Sequence, residues 1–145
     1  MHWNTLQQGE RLRLWKTLRN NLEGKELRDQ VQLVASFFDN IQYSARIIDY
    51  FDPTYWPTPW EIIYNDNICK SSVSLLIYYT FSLLSTPVIS ELSVINDGSD
   101  IYLLPVINAQ YVLNYEQGVV NNYSYISTII AVIQQIDNKQ IKKIA

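Results

Sequence analysis

With 145 residues, 48% of them hydrophobic and only 17% charged, the chain is long enough for a sizeable core and too apolar for intrinsic disorder. A net charge of −3 and a pI of about 5.0 argue against the basic footprint that nucleic-acid binding needs. The most apolar stretch, Val73 to Leu84, is interrupted by Ser74, Thr80 and Ser82 and is well short of the ~20 residues that cross a bilayer.

The start, Met1-His2-Trp3-Asn4, has neither the charged nor the apolar region of a signal peptide, and the lone Cys69 allows no internal disulfide. A soluble chain from a reducing compartment, or from an assembly built there, is expected. Leu12, Trp15, Leu18 and Leu22 recur at helical spacing and predict a first helix that stops at Gly24. Arg11, Arg13, Lys16 and Arg19 interleave with that pattern and read as a solvated helix face. Leu27, Val31, Val34, Phe38 and Ile41 predict a second amphipathic helix, so that residues 1–42 form a helical hairpin.

Breakers then crowd the chain at Asp52-Pro53 and Trp56-Pro57-Thr58-Pro59, together with Tyr50, Phe51, Tyr55, Trp56 and Trp60. Large aromatics in such a loop pin it to a core or offer a recognition surface. Thr58, Pro59 and Glu61 have the spacing of a capping box with proline in the first turn, predicting a short helix to about Tyr64. From Cys69 to Leu84 a helix apolar nearly all round is expected, buried behind a sheet and closed by Pro87.

The period then changes to two. Strands are predicted at Val88–Ile95, Ile101–Ile107 and Tyr111–Tyr115, with turns at Asn96-Asp97-Gly98-Ser99 and Asn108-Ala109-Gln110, an antiparallel meander. Pro105 cannot donate to a ladder, which places its strand at an edge or at a bulge. Ile126, Ile129, Ile130 and Ile133 fit a helix face or a strand equally well, and residues 138–145, rich in lysine, form a tail that frays or docks on a partner. The expected architecture is a single α+β domain over residues 1–145, its central helix packed on the antiparallel meander within residues 56–118.

The chemistry centres on Cys69. A thiol at a helix N-terminus feels the positive end of the dipole, a placement that catalytic cysteines use; a buried cysteine is equally a small hydrophobe. A cysteine heading a buried central helix, followed by an antiparallel meander, resembles the transglutaminase-like branch of the papain-like cysteine hydrolases. That resemblance implies a histidine near the start of a following strand and an aspartate or asparagine at the end of the next. Cys69 fits the nucleophile and Asn114 the orienting residue, but the histidine slot falls at Asp100, Ile101 or Tyr102, and His2 is the only histidine. Cys69, Tyr102 and Asn114 are then vestigial positions and no catalysis is expected. One histidine and one cysteine build no zinc site, the pairs Asp49/Asp52 and Asp97/Asp100 read as turn aspartates, and no cofactor or metal is assigned.

The segment Trp56-Pro57-Thr58-Pro59-Trp60-Glu61-Ile62-Ile63, followed by Cys69 and its apolar helix, is also similar to small virion proteins of tailed bacteriophages. That resemblance implies a non-enzymatic component of the neck, tail or baseplate region, assembled in the host cytoplasm in multiple copies of a symmetric particle. Its partners would be other virion proteins, with Tyr55, Trp56, Trp60, Trp3 and Trp15 as contact candidates and no nucleic acid, membrane or small-molecule substrate. Two alternatives remain open: a cysteine-dependent hydrolase or acyl transferase using Cys69 with Asn114 and Tyr102 or Asp100, and a peptide-binding regulatory module using the groove of the lost site.

Overall fold

A computed structural model describes residues 2–141. After a 3-10 turn at Trp3–Thr5, helix α1 (Gln8–Leu22) buries Trp15, Leu18 and Leu22 and meets α2 (Leu27–Phe37) across Gly24. Gly24 has a φ of 76°, the left-handed geometry that lets the hairpin reverse without a Cβ penalty. Helix α2 stops short of Ile41, because the chain turns through Asp39 and Asn40; Phe37 and Phe38 instead pack edge-on at 4.8 Å beside Trp3.

The predicted capping box is present at α3 (Pro59–Tyr64). Thr58 Oγ1 accepts the Glu61 N–H at 3.3 Å, and Glu61 Oε1 accepts the Thr58 N–H at 3.0 Å. Helix α4 (Lys70–Ser82) is buried at every residue from Ser71 to Phe81. Its Thr80 and Ser82 hydroxyls return hydrogen bonds to Leu76 O and Tyr78 O, so the helix carries hydroxyls into the core without orphaning them.

Five antiparallel strands follow: β1 (Ser90–Asn96), β2 (Ile101–Ile107), β3 (Tyr111–Leu113), β4 (Val120–Asn122) and β5 (Ala131–Gln135), in the order β4-β3-β2-β1-β5. A four-residue helix, α5 (Tyr123–Ile126), lies between β4 and β5. Alternation splits the sheet into two faces. Leu92, Val94, Leu103 and Ile107 join the main core with α4, whereas Ile95, Leu104, Val106 and Val112 pack with Ile126 on the other side.

Several expectations are corrected. Pro105 sits on the central strand, opposite Leu92. The Asn108 N–H bonds Ile89 O, which sets the alternation so that Pro105 turns its nitrogen toward β3, where the ladder has already ended at Val106–Val112. Trp3, Trp15 and Trp56 are buried and serve the core rather than a partner surface; Trp15 Nε1 donates to Thr80 Oγ1 at 2.9 Å and Trp56 Nε1 to Asp49 O at 2.6 Å. Tyr55 and Trp60 do keep exposed surface. Arg11 leaves the solvated face: it is only 2% exposed and donates to Trp3 O, to Ile63 O and Asn65 O at the end of α3, and to the Asp66 carboxylate. The guanidinium satisfies carbonyls that a helix end leaves open. At the other end, Asn138–Gln140 form a 3-10 turn with Ile141 buried, and the rest of the predicted tail lies outside the described residues.

Candidate active site

Cys69 is the N-cap of α4, with extended backbone (φ −94°, ψ 167°) leading into the helix. Its Sγ accepts the Ser72 N–H at 3.4 Å and lies 3.2 Å from the Ser72 hydroxyl. The sulfur thus does the work of a serine or aspartate cap and meets the positive end of the helix. It is 1% exposed.

Asn114 crosses from the end of β3 to the first turn of α4. Its amide nitrogen donates to Lys70 O and to Ser74 Oγ, each at 2.9 Å, and its Oδ1 accepts the Tyr43 hydroxyl proton at 2.7 Å. The backbone there is left-handed (φ 67°), which asparagine tolerates better than most residues. The two positions matched to nucleophile and orienting residue are therefore brought to the same helix turn.

Tyr43 was not singled out from the sequence. It reaches the site because Ser44 forms an isolated parallel bridge with Cys69, its N–H donating to Ile68 O at 2.9 Å. Burial, reinforced by the charge of the Cys69 sulfur, pushes the Tyr43 hydroxyl far above the usual phenol range, so it holds its proton. Nothing in the local sequence marks it, since a single bridge between segments 25 residues apart carries no periodicity.

Tyr102 is placed elsewhere. Its ring packs on the opposite sheet face, edge-on to Tyr115 at 5.5 Å, with the Lys70 ammonium 4.8 Å from the ring centre. Burial, then the charges of Asp97 and Asp100, raise the Tyr102 pKa, which removes it further from use as a base. The residue at the head of β2 that shares the α4 face with Leu103 and Ile107 is, by alternation, Ile101. Asp100 lies in the turn before it, on an open cleft of about 620 Å³ lined also by Arg46, Tyr50, Asn96 and Ile101. His2 is exposed at the start of the first 3-10 turn, its carbonyl accepting from Thr5.

Lys70 ties the site to the strand ends. Its ammonium donates to Tyr115 O at 2.6 Å; burial lowers its pKa, and Glu116, Asp100 and Asp97 act in the opposite sense.

No known family model and no curated protein matches the sequence. Among solved structures the chain is similar to LapG of Legionella pneumophila, a transglutaminase-like cysteine protease. With the calcium-bound form the TM-score is 0.71 at 16% identity, over 89% of this chain and 75% of that one. A second LapG structure gives 0.72 at 15%, over 90% and 76%, and the EGTA-treated form 0.71 at 16%, over 90% and 74%.

Among the described residues no three Asp, Glu, His or Cys side chains form a group that could hold a metal ion. Asp97 is already committed, with Oδ1 accepting the Ser99 and Asp100 amides and Oδ2 the Tyr115 hydroxyl.

The likeness overturns the expected non-enzymatic virion role: the similar structures are a cysteine protease, and nothing in them points to a phage particle. The α+β topology and the LapG likeness agree, and the chain has a transglutaminase-like fold.

Proposed function

We propose that the chain is a cysteine-dependent hydrolase or acyl transferase with Cys69 as its nucleophile. The observation that carries this reading is the placement of Cys69 as the N-cap of α4 with Asn114 hydrogen-bonded to the start of the same helix, in a fold shared with a cysteine protease. The thiolate is the attacking form.

In this reading solvent takes the thiol proton and Sγ attacks an acyl carbon. The S–C bond forms, the bond from that carbon to its nitrogen or oxygen leaving group breaks, and the leaving group needs a proton. Water supplies it, since the Tyr43 hydroxyl keeps its own proton on Asn114 Oδ1. Water or an amine then attacks the thioester and releases the thiolate. Without an imidazole to share the thiol proton, the reaction runs slowly at neutral pH and faster as the thiolate fraction rises.

The test is acylation by p-nitrophenyl acetate under native conditions, read as a burst of p-nitrophenolate and as acetyl mass on Cys69. One acetyl per chain, absent in Cys69→Ser and increasing with pH, supports the reading. Modification of Cys69 only at denaturant concentrations that unfold the chain overturns it.

A further inference from the structure

The segment bridged to Cys69 through Ser44 has an unusual construction. Ile41 and Ile48 are both buried in the core, while Ala45, Arg46 and Ile47 between them are exposed. The middle is fastened by the Ser44 N–H to Ile68 O (2.9 Å) and by the Tyr43 hydroxyl to Asn114 Oδ1 (2.7 Å). Further along, Tyr50 Oη meets Ile101 O at a long 3.4 Å, across the head of β2. No strand beyond the single Ser44–Cys69 bridge holds this stretch, and Cys69 in that bridge is 1% exposed.

We propose that residues 43–47 are a strap that closes the Cys69 site in the resting protein and swings out to admit substrate, pivoting on the buried Ile41 and Ile48. This deepens the acyl-transfer reading, since it describes the regulation of the same site. Opening releases Ser44 N–H, Ile68 O, Tyr43 Oη and Asn114 Oδ1, each of which can find water, so the segment opens without unfolding α4 or the sheet. Asn114 keeps its bonds to Lys70 O and Ser74 Oγ when the strap leaves, so the orienting side chain stays in place. Arg46 of the strap also lines the open cleft beside Tyr50, Asp100 and Ile101.

The strap is tested by the rate of Cys69 alkylation with iodoacetamide, with the urea midpoint measured alongside. Ser44→Pro removes the N–H that bonds Ile68, and Tyr43→Phe removes the bond to Asn114 while keeping the ring. Either variant is expected to alkylate about tenfold faster than the parent chain, the effect of losing one net hydrogen bond from the closed state, while most of the urea midpoint is kept. If Ser44→Pro fails to fold, Tyr43→Phe carries the test alone. The parent rate should also be independent of urea well below the unfolding midpoint, as local opening requires. Rates unchanged in the variants, or rising only in step with global unfolding, overturn the strap. Fast alkylation without any acetyl transfer from p-nitrophenyl acetate leaves the strap standing and sinks the acyl-transfer reading instead.

Discussion

The Tyr43 hydroxyl donates to Asn114 Oδ1 at 2.7 Å, joining two residues 71 positions apart. Asn114 in turn spends both amide protons on Lys70 O and Ser74 Oγ, so one side chain links the strap, the end of β3 and the first turn of α4.

Replacing Asn114 therefore removes three hydrogen bonds at once. At roughly 1 kcal/mol net for each, Asn114→Gly should cost about 3 kcal/mol. Asn114→Ala should cost roughly 1 kcal/mol more, since alanine is strained at the left-handed φ of 67° that glycine accepts freely. Urea denaturation of the two variants checks both the size and the order; alanine proving the milder change would contradict the reading of the backbone there.

Two glycines separate backbone strain from crowding. Gly24 (φ 76°) and Gly118 (φ 79°) have the same left-handed geometry, but a Cβ at Gly24 meets open space while one at Gly118 falls 2.8 Å from the Asp39 Cβ. Gly24→Ala should lose about 1 kcal/mol. Gly118→Ala should lose roughly 1–3 kcal/mol beyond that, because the loop at Asp39 must shift. Thermal unfolding of the pair is the comparison, and equal losses would show that the crowding is relieved at no cost.

The buried pair of Trp15 Nε1 and Thr80 Oγ1 (2.9 Å) offers a double-mutant cycle. Thr80→Val keeps the shape but strands a buried N–H, at a cost of about 1–3 kcal/mol. In a Trp15→Phe background the donor is gone, so the same substitution should cost clearly less. Additive losses in the cycle would mean that the hydrogen bond contributes nothing.

Much of this scaffold was legible in the sequence because its signals are local. The capping box at Thr58 and Glu61, the helix apolar on all sides and the turn at Asp97-Gly98 each depend on residues within a few positions of one another. Cys69 at a helix head was legible for the same reason. What was missed depends on long-range pairing. Strand β5 is exposed along its whole length, so it shows no alternation from which to read it. The central place of Pro105 follows from where β3 ends, and Arg11 looked solvated until α3 brought Ile63 O and Asn65 O to it. Tyr43 enters the site through one bridge.

Alkaline stability should be limited by tyrosines. The hydrogen bond to Asp97, followed by burial, raises Tyr115 to about 12, and burial, then Tyr78 and Glu61, raise Tyr79 to about 12. A raised phenol pKa favours the folded state below the unfolded value near 10, and that contribution is lost as pH climbs from about 10 to 12. Asp97 has the opposite sense. Bonds from the Asp100 and Ser99 amides and the Tyr115 hydroxyl lower its pKa, so its contribution is present above about pH 4 and is lost as pH falls. Stability measured against pH should fall at both ends, and Tyr115→Phe should flatten part of the alkaline limb. An unchanged alkaline limb would show that the Tyr115–Asp97 bond does not survive in solution.

The most direct test of the site's chemistry restores what it lacks. Ile101 heads β2 on the face that Leu103 and Ile107 present to α4, and it is 41% exposed, so Ile101→His should fold with little loss. An imidazole there would take the Cys69 proton, and general-base assistance is worth roughly 100-fold or more when well placed. The expected result is faster acetylation of Cys69 by p-nitrophenyl acetate, gained as pH rises through about 6.5, where the imidazole becomes free to accept a proton. The Tyr43→Phe background should enlarge the gain, because the strap no longer restrains access to the sulfur. A folded Ile101→His chain with the parent's rate and pH profile would mean that the head of β2 does not face Cys69 closely enough for proton transfer, and the nucleophile assignment would then rest on Asn114 alone.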